Sequence, residues 1–367
     1  MMPSIVLFGA TGYTGRLTAQ ALVARGAAPV LAGRDPAALA VLAGELGGLP
    51  TAVAEVTDPA TVRALLAPGD VLVTTVGPFL RYGAAALAAA IDAGAHYIDS
   101  TGEGPFIRAV FDRDRQARAA GSALLTAFGF DYVPGNLAAG LALRDLPTAT
   151  RADIGYFMDR PGTSAGTRAS MAGMLFEPGF ALREGRITPE ETGARVRSFP
   201  VAGAARSGVS IPASEPFALR RTHPGLREVD VYLGLPGGAA RGLQAAARLA
   251  GLAGRVPPLR HGLDAVLART ITGSGGGPDA RSRSRTRGWA VAEVRDGTGA
   301  TARATLAGGD PYDFTAKIMA WAAHTALDGG LLGVGALGPV EAFGLDALAA
   351  AALDAGWRRH TGTEAPR

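Results

Sequence analysis

Ser4-Ile-Val-Leu-Phe-Gly-Ala-Thr-Gly-Tyr-Thr-Gly-Arg16 stands almost at the start of the chain, and its reading decides the fold. Ile5, Val6, Leu7 and Phe8 are apolar in succession, as in a strand buried on both faces of a parallel sheet. Gly9, Ala10, Thr11, Gly12, Tyr13, Thr14 and Gly15 follow. Residues 16–25 then place Leu17, Ala21, Leu22 and Ala24 at helical spacing, and Gly26 sits where a helix ends. A strand, a glycine turn and a helix in this order aim backbone N–H groups and the positive helix end at a pyrophosphate. Side chains larger than hydrogen would block that approach. An ordinary glycine-rich βα turn is the alternative, and the strand before and helix after are the context the motif requires.

The alternation continues outward from this turn. Residues 29–34, 52–56, 70–76, 96–99 and 123–128 read as strands. Helices are expected over 37–46, 60–66, 84–93 and 106–120. Strands alternating with helices of this length make βαβ units and a parallel sheet. Beyond Pro134 the pattern changes. Helices are expected over 135–143, 164–174 and 312–327, strands over 152–157 and 228–234, and a hairpin from 289–295 to 300–306 turning through 296–299. Residues 273–288 read as a loop. The expected fold is α/β, an N-terminal Rossmann-type parallel sheet with a second α+β domain on an antiparallel or mixed sheet. Its boundaries are 1–134 and 135–329.

The cofactor follows from the end of the second strand. An acidic residue there accepts from a ribose 2′-hydroxyl, whereas this chain has Ala32-Gly33-Arg34. A guanidinium at that place suits the 2′-phosphate of NADP(H), with Asp35 beside it as a complication. Asp58, after the third strand, has two readings: a contact to the adenine amine, or an N-cap of the helix that follows. Val76, Gly77, Pro78 and Phe79 end the fourth strand, where ribose and nicotinamide lie in this architecture. Tyr82 is near enough to contribute, or it is packing.

A reductase also needs a proton donor. Ser100, Thr101 and Glu103 follow one strand and Asp131 and Tyr132 the next, on loops at the carboxyl ends. Each has a bland alternative, as a cap, a turn residue or a domain-junction side chain. His96 is read as structural. Lys317 and His324 lie on one expected helix, and an amphipathic helix with a solvated edge is the reading preferred to a catalytic pair. The Tyr–Lys pair of short-chain dehydrogenases is excluded, because the single lysine, Lys317, has Asp313 four residues before it and Tyr312 five before.

Composition narrows the classes further. The 367 residues include no cysteine, which excludes disulfides, thiolate metal sites and cysteine nucleophiles. No His-Glu-x-x-His spacing appears, and no metal is expected. Arginine supplies nearly all the positive charge of a chain with formal net charge +4. The dense basic run of Arg281, Arg283, Arg285 and Arg287 lacks interleaved aromatics, so it is read as a solvated loop and not as a nucleic-acid surface. No apolar run reaches the roughly 20 residues of a membrane helix. A soluble, cytoplasmic protein is the expectation.

Taken together, Gly-Ala-Thr-Gly-Tyr-Thr-Gly at 9–15, Ala-Gly-Arg at 32–34, Val-Gly-Pro-Phe at 76–79, His-Tyr-Ile-Asp-Ser-Thr-Gly-Glu at 96–103 and Phe-Gly-Phe-Asp-Tyr-Val-Pro at 128–134 resemble the saccharopine dehydrogenase-like oxidoreductases. Within them the chain is similar to the short bacterial branch that includes the trans-acting enoyl reductases. The match is close over 4–136 and looser beyond, through 163–167 and 330–344. The resemblance implies an NADP(H)-binding Rossmann domain and an α+β domain that bears the substrate and often the dimer contact. It also implies that the segment 330–367 returns to the Rossmann side. Where relatives often carry Ser and Asp near Val-Pro, this chain has Tyr132, Gly135 and Asn136, which leaves the substrate open between a lipid and a specialised-metabolite intermediate. The expected activity is NADPH-dependent reduction of a C=C or C=N bond in a small lipid or specialised-metabolite intermediate, free or carrier-bound. A catalytically silent NADPH sensor or a scaffold is the alternative.

Overall fold

A computed structural model describes residues 2–160, 162, 164, 179–234 and 276–360. The expected helix over 164–174, most of the 163–167 segment and His261 lie outside them.

The chain divides into two compact units, the first comprising Met1–Gly102, Phe106–Val133 and Pro311–Ala355. Its seven-stranded sheet is parallel throughout. Strands β1 (Ile5–Phe8), β2 (Val30–Gly33), β3 (Thr51–Val53), β4 (Val71–Thr74), β5 (His96–Asp99) and β6 (Ala123–Leu125) run in the spatial order β6-β5-β4-β1-β2-β3. A late two-residue strand, Gly335–Ala336, extends the sheet beyond β6. The central strands read as unbroken apolar runs because both their faces are covered; β1 and β4 are buried at every residue. Part of that cover comes from the helix Pro311–Leu327, which packs on β1, β4 and β5 and on the first helix.

The boundaries therefore differ from a simple cut at 134 with a return at 330. The first unit resumes at Pro311, since the apolar side of that helix needs the parallel sheet to bury it. The chain leaves again at Gly356, because the strand Trp357–Arg359 pairs with a strand of the second unit.

Helices also depart from expectation at their edges. The expected helix over 84–93 begins at Phe79, directly after Pro78, and ends on the left-handed Gly94. The single helix expected over 106–120 is two, Gly104–Phe111 and Asp114–Ala120.

The second unit comprises Glu103–Pro105, Pro134–Asp310 and a segment from Gly356. It holds a nine-stranded sheet that is antiparallel except where Glu228–Gly234 runs parallel to Arg151–Asp159. The expected hairpin is present as Arg287–Arg295 and Thr301–Gly308. In the expected loop over 273–288, the described part contains a short helix, Ala280–Arg283, capped by the Asp279 carboxylate. Four strands between 179 and 210 had no sequence signal.

The register sets Asp230 beside Asp153, two buried carboxylates on neighbouring parallel strands. Arg151 bonds both, Arg183 and Arg195 pair with Asp230, and Arg197 with Asp153. Buried charges persist only when paired in this way.

Candidate functional site

Parallel strands present all their carboxyl ends on one edge of the sheet, so the loops after β1, β2, β4, β5 and β6 share that edge. The loop after β1 is pinned from two sides. Gly9 and Ala10 donate to the Ala32 carbonyl of β2 at 2.9 and 3.2 Å, and Thr75 Oγ1, just past β4, donates to the Gly9 carbonyl at 3.1 Å. Gly9 has φ +88°, and a Cβ there would stand 2.8 Å from Val76 Cγ2, so both conformation and space demand glycine. Gly12 caps the helix α1 (Tyr13–Ala24) without any side-chain hydrogen bond to its first turn. Gly15 lies where α1 crosses its own loop, and a Cβ there would stand 2.1 Å from the Gly9 carbonyl oxygen. Together with Gly12 these positions make the glycine cradle, where a Cβ at Gly9 or Gly15 would run into the protein's own atoms.

Arg34 and Asp35 separate cleanly. The Asp35 carboxylate accepts from the Ala37 and Ala38 N–H groups at 3.0 Å each, as N-cap of the helix Pro36–Glu45. Arg34 is exposed, and among the described residues its guanidinium has no ion pair or hydrogen-bonded side-chain partner. Thr11 approaches the same strand end, its Oγ1 4.0 Å from where a Gly33 Cβ would be. The complication noted at Asp35 is thus a local cap. Asp35→Ala is expected to lower stability by about 1 kcal/mol through loss of that cap. The NADPH-to-NADH affinity ratio should stay within about twofold; urea unfolding and nucleotide titration check the pair.

The other expected cofactor residues fall as follows. Asp58 caps the helix Pro59–Arg63, accepting from the Ala60 N–H at 3.2 Å. Val76 touches the glycine loop and Gly77 is exposed, while Phe79 is buried against Phe106 with ring centroids 5.7 Å apart. Phe79 therefore supports the start of its helix, while Val76 and Gly77 bound the surface. Tyr82 is half-buried under the Arg81 guanidinium, 4.9 Å from its ring centre. Tyr13 packs its ring at a right angle to Tyr312, 5.0 Å between centroids.

The donor candidates sit on the loops after β5 and β6. These loops are joined by Asp99, the last residue of β5, which the sequence reading passed over as part of a strand. Asp99 is fully buried, and its Oδ1 accepts from the N–H of Thr101 and of Ala127, each at 2.9 Å. Burial pushes its carboxyl up to about 6, against the downward pull of those two backbone bonds and of the nearby Thr126 and Tyr97 hydroxyls. Neither hydroxyl reaches a well-formed hydrogen bond with Oδ2. Ala127 has φ +54°, a left-handed conformation that costs a non-glycine residue on the order of 1 kcal/mol. Its carbonyl accepts from the Tyr132 N–H at 2.7 Å, closing the loop that contains Asp131.

Asp131 is half-buried, and desolvation raises its carboxyl to about 6. Its Oδ2 lies 3.0 Å from where a Gly102 Cβ would be, so a side chain at 102 would crowd the carboxylate. Tyr132 is buried and its Oη donates to the Gly102 carbonyl at 3.2 Å. Thr101 is buried with its N–H on Asp99. Glu103 is buried and groups with the second unit. His96 is structural: Nδ1 accepts from the Ala123 N–H at 3.1 Å, and burial lowers its pKa.

Residues 5–125 match the family model described as the saccharopine dehydrogenase NADP binding domain. This stretch is an NADP-binding domain of that type. Its glycine cradle, and Arg34 with no ion pair among the described residues, fit the dinucleotide and its 2′-phosphate. A trans-acting enoyl reductase of Mycobacterium ulcerans is 42% identical over 140 residues, 36% of this chain and 34% of that protein. A putative trans-acting enoyl reductase of Mycobacterium tuberculosis is 38% identical over 187 residues, 47% of this chain and 44% of that one. The chain thus aligns with less than half the length of these curated relatives. Saccharopine dehydrogenase (L-Glu forming) of Saccharomyces cerevisiae is similar in fold over 98% of this chain and 100% of its own, at TM-score 0.62 and 16% identity. Fold similarity thus extends past the NADP-binding domain into the mixed-sheet unit. Among the described residues no helix is long and apolar enough to cross a membrane.

Proposed function

We propose that the protein is an NADPH-dependent reductase of the C=C bond of an enoyl intermediate, a small molecule presented free or as a carrier-bound thioester in the cytoplasm. The observation that supports this reading best is a carboxyl with its pKa near 6, Asp131, on a loop of the sheet edge that also bears the glycine cradle. NADPH, when bound, supplies a hydride to the β-carbon of the enoyl group. Asp131 holds the proton destined for the α-carbon, and its solvent-facing side allows that proton to be replaced from water. Tyr132 and Thr101 keep the loop in place through Gly102 and Asp99. Arg34 bonds the 2′-phosphate, and the N–H groups of the turn from Gly9 to Gly15 bond the pyrophosphate. The relatives named enoyl reductases favour C=C over C=N as the bond reduced.

Nicotinamide fluorescence on titration with NADPH and with NADH tests the first half, in wild type and Arg34→Ala. The substitution should weaken NADPH roughly 10- to 100-fold, the worth of a charge-assisted bond, and leave NADH nearly unchanged. Oxidation of NADPH in the presence of crotonyl-N-acetylcysteamine, followed at the nicotinamide absorbance, tests the second. Binding of neither nucleotide sinks the oxidoreductase reading. Binding without turnover of this thioester or of a cyclic imine makes the protein a sensor of NADPH.

A further inference from the structure

We propose that Asp99 is a positioning residue: its buried Oδ1 holds the left-handed turn at Ala127, and this sets the loop that presents Asp131. The inference rests on the reading of Asp131 as proton donor.

Among the described residues four non-glycine positions have positive φ: Ala127, Arg160, Glu184 and Ala202. The last three are exposed, and Glu184 and Ala202 each precede a glycine in a tight turn between paired strands. Such turns require that conformation and face water. Ala127 is different. It is fully buried at the carboxyl end of β6, and no hairpin explains it. A sparsely populated conformation persists only where the surroundings over-determine it.

The surroundings here are Asp99. Oδ1 accepts the Ala127 N–H at 2.9 Å, and the Asp99 backbone carbonyl accepts the next N–H, of Phe128, at 2.7 Å. The same Oδ1 accepts from Thr101, so one oxygen ties the two loops to each other. With Ala127 left-handed, its carbonyl meets the Tyr132 N–H, and the five-residue closure leaves Asp131 one position before the clamp. On its far side the loop is fixed by Thr315, whose Oγ1 accepts from the Phe130 N–H at 2.9 Å. If Ala127 relaxes to a right-handed or extended conformation, that carbonyl turns away and Asp131 moves off its place over Gly102. Burying an aspartate to bind two amides is costly, and a hydrophobic residue would fill the space more cheaply. The geometry of the donor loop is what the aspartate secures.

The experiment compares Asp99→Ala, Asp99→Asn and the double variant Asp99→Ala/Ala127→Gly with wild type. Two readouts are used: hydrogen exchange of peptides covering 126–132, and NADPH-driven reduction of crotonyl-N-acetylcysteamine. Asp99→Ala should speed exchange of the loop at least about tenfold and lower kcat by a similar factor, with the KM for NADPH within about twofold. Asp99→Asn keeps the acceptor oxygen and should stay close to wild type in both. Glycine at 127 adopts the left-handed conformation freely, so the double variant should regain slow exchange at Tyr132 and most of kcat. Unchanged exchange in Asp99→Ala, failure of the glycine to restore it, or an asparagine as harmful as alanine would overturn the proposal. If Asp99→Ala does not fold, recovery of folding in the double variant supports it and continued unfolding overturns it. The exchange readout needs no turnover. Loop loosening in Asp99→Ala together with full activity in Asp131→Asn would therefore sink the donor assignment while leaving the clamp standing.

Discussion

Asp131→Asn is expected to slow NADPH-driven reduction of crotonyl-N-acetylcysteamine roughly 10²- to 10⁴-fold, the usual loss on removing a general acid. NADPH affinity should be unchanged, since among the described residues no hydrogen bond or ion pair links this side chain to the glycine cradle or Arg34. The pH profile adds a second reading of the same group. A donor must be protonated, and with its carboxyl raised to about 6 the active fraction declines as pH rises through that value. Above it the wild-type rate should fall about tenfold per pH unit, and the asparagine variant should lack this limb. The stability effect has the opposite sense for the variant. A carboxyl raised in the folded state from its ordinary value of 3.8 to about 6 contributes stability that is fully present below about pH 4 and lost as pH rises through about 6. Asparagine never ionises, so at pH 8 the variant should be more stable than wild type by about 1 to 3 kcal/mol. An asparagine variant that is equally active, with an unaltered pH profile, would remove Asp131 from the mechanism.

The second large effect is at Gly15. A methyl group there would sit 2.1 Å from the Gly9 carbonyl oxygen and 2.9 Å from both the Gly9 carbonyl carbon and the Ala10 carbonyl oxygen. All three are backbone atoms, and the Gly9 peptide is anchored to Ala32 and Thr75. No side-chain rotation relieves the clash, so α1 must shift away from the end of β1. Gly15→Ala should cost at least about 3 kcal/mol, the upper end of overpacking penalties, and weaken NADPH at least tenfold. Gly44 provides the contrast, because a Cβ there meets nothing within 4 Å and its position is helical. Gly44→Ala should be neutral or stabilising by up to about 1 kcal/mol. Urea unfolding of the two variants side by side separates a steric requirement from a general dislike of substitution in glycine-rich sequence.

The parallel sheet was legible because its strands are short apolar runs punctuated by glycine and proline, and the cradle because its glycines follow one such run directly. Sheet edges were harder. Gly335–Ala336 is too short to have a period, Gly179–Arg183 is a five-residue buried run, and the three strands between 186 and 210 are polar and only partly buried, so no alternation marks them. Pro78 read as the close of a strand, yet proline is also compatible with the position just before a helix, where no N–H is needed. Among the donor candidates the residue types were visible, but their ranking was not. Thr101, Glu103, Asp131 and Tyr132 have equal claims in one dimension. Burial, the carbonyl that occupies Tyr132 and the separate grouping of Glu103 distinguish them only after folding. Asp99 was missed because its partners are main-chain amides, one of them 28 residues distant. An aspartate closing an otherwise apolar strand was the available hint.

The late return of the chain to its first sheet has a consequence for synthesis. The helix Pro311–Leu327 and the strand Gly335–Ala336 follow the main segment of the second unit, Pro134–Asp310. At translation speeds of about 5–20 residues per second, the first six strands wait roughly 10 to 35 s for the helix that covers β1, β4 and β5. The second unit in turn waits for Trp357–Arg359, which emerges after the first unit is complete. A nascent chain stalled at residue 133 therefore shows chaperones a parallel sheet whose strands β1, β4 and β5 lack the cover of that helix.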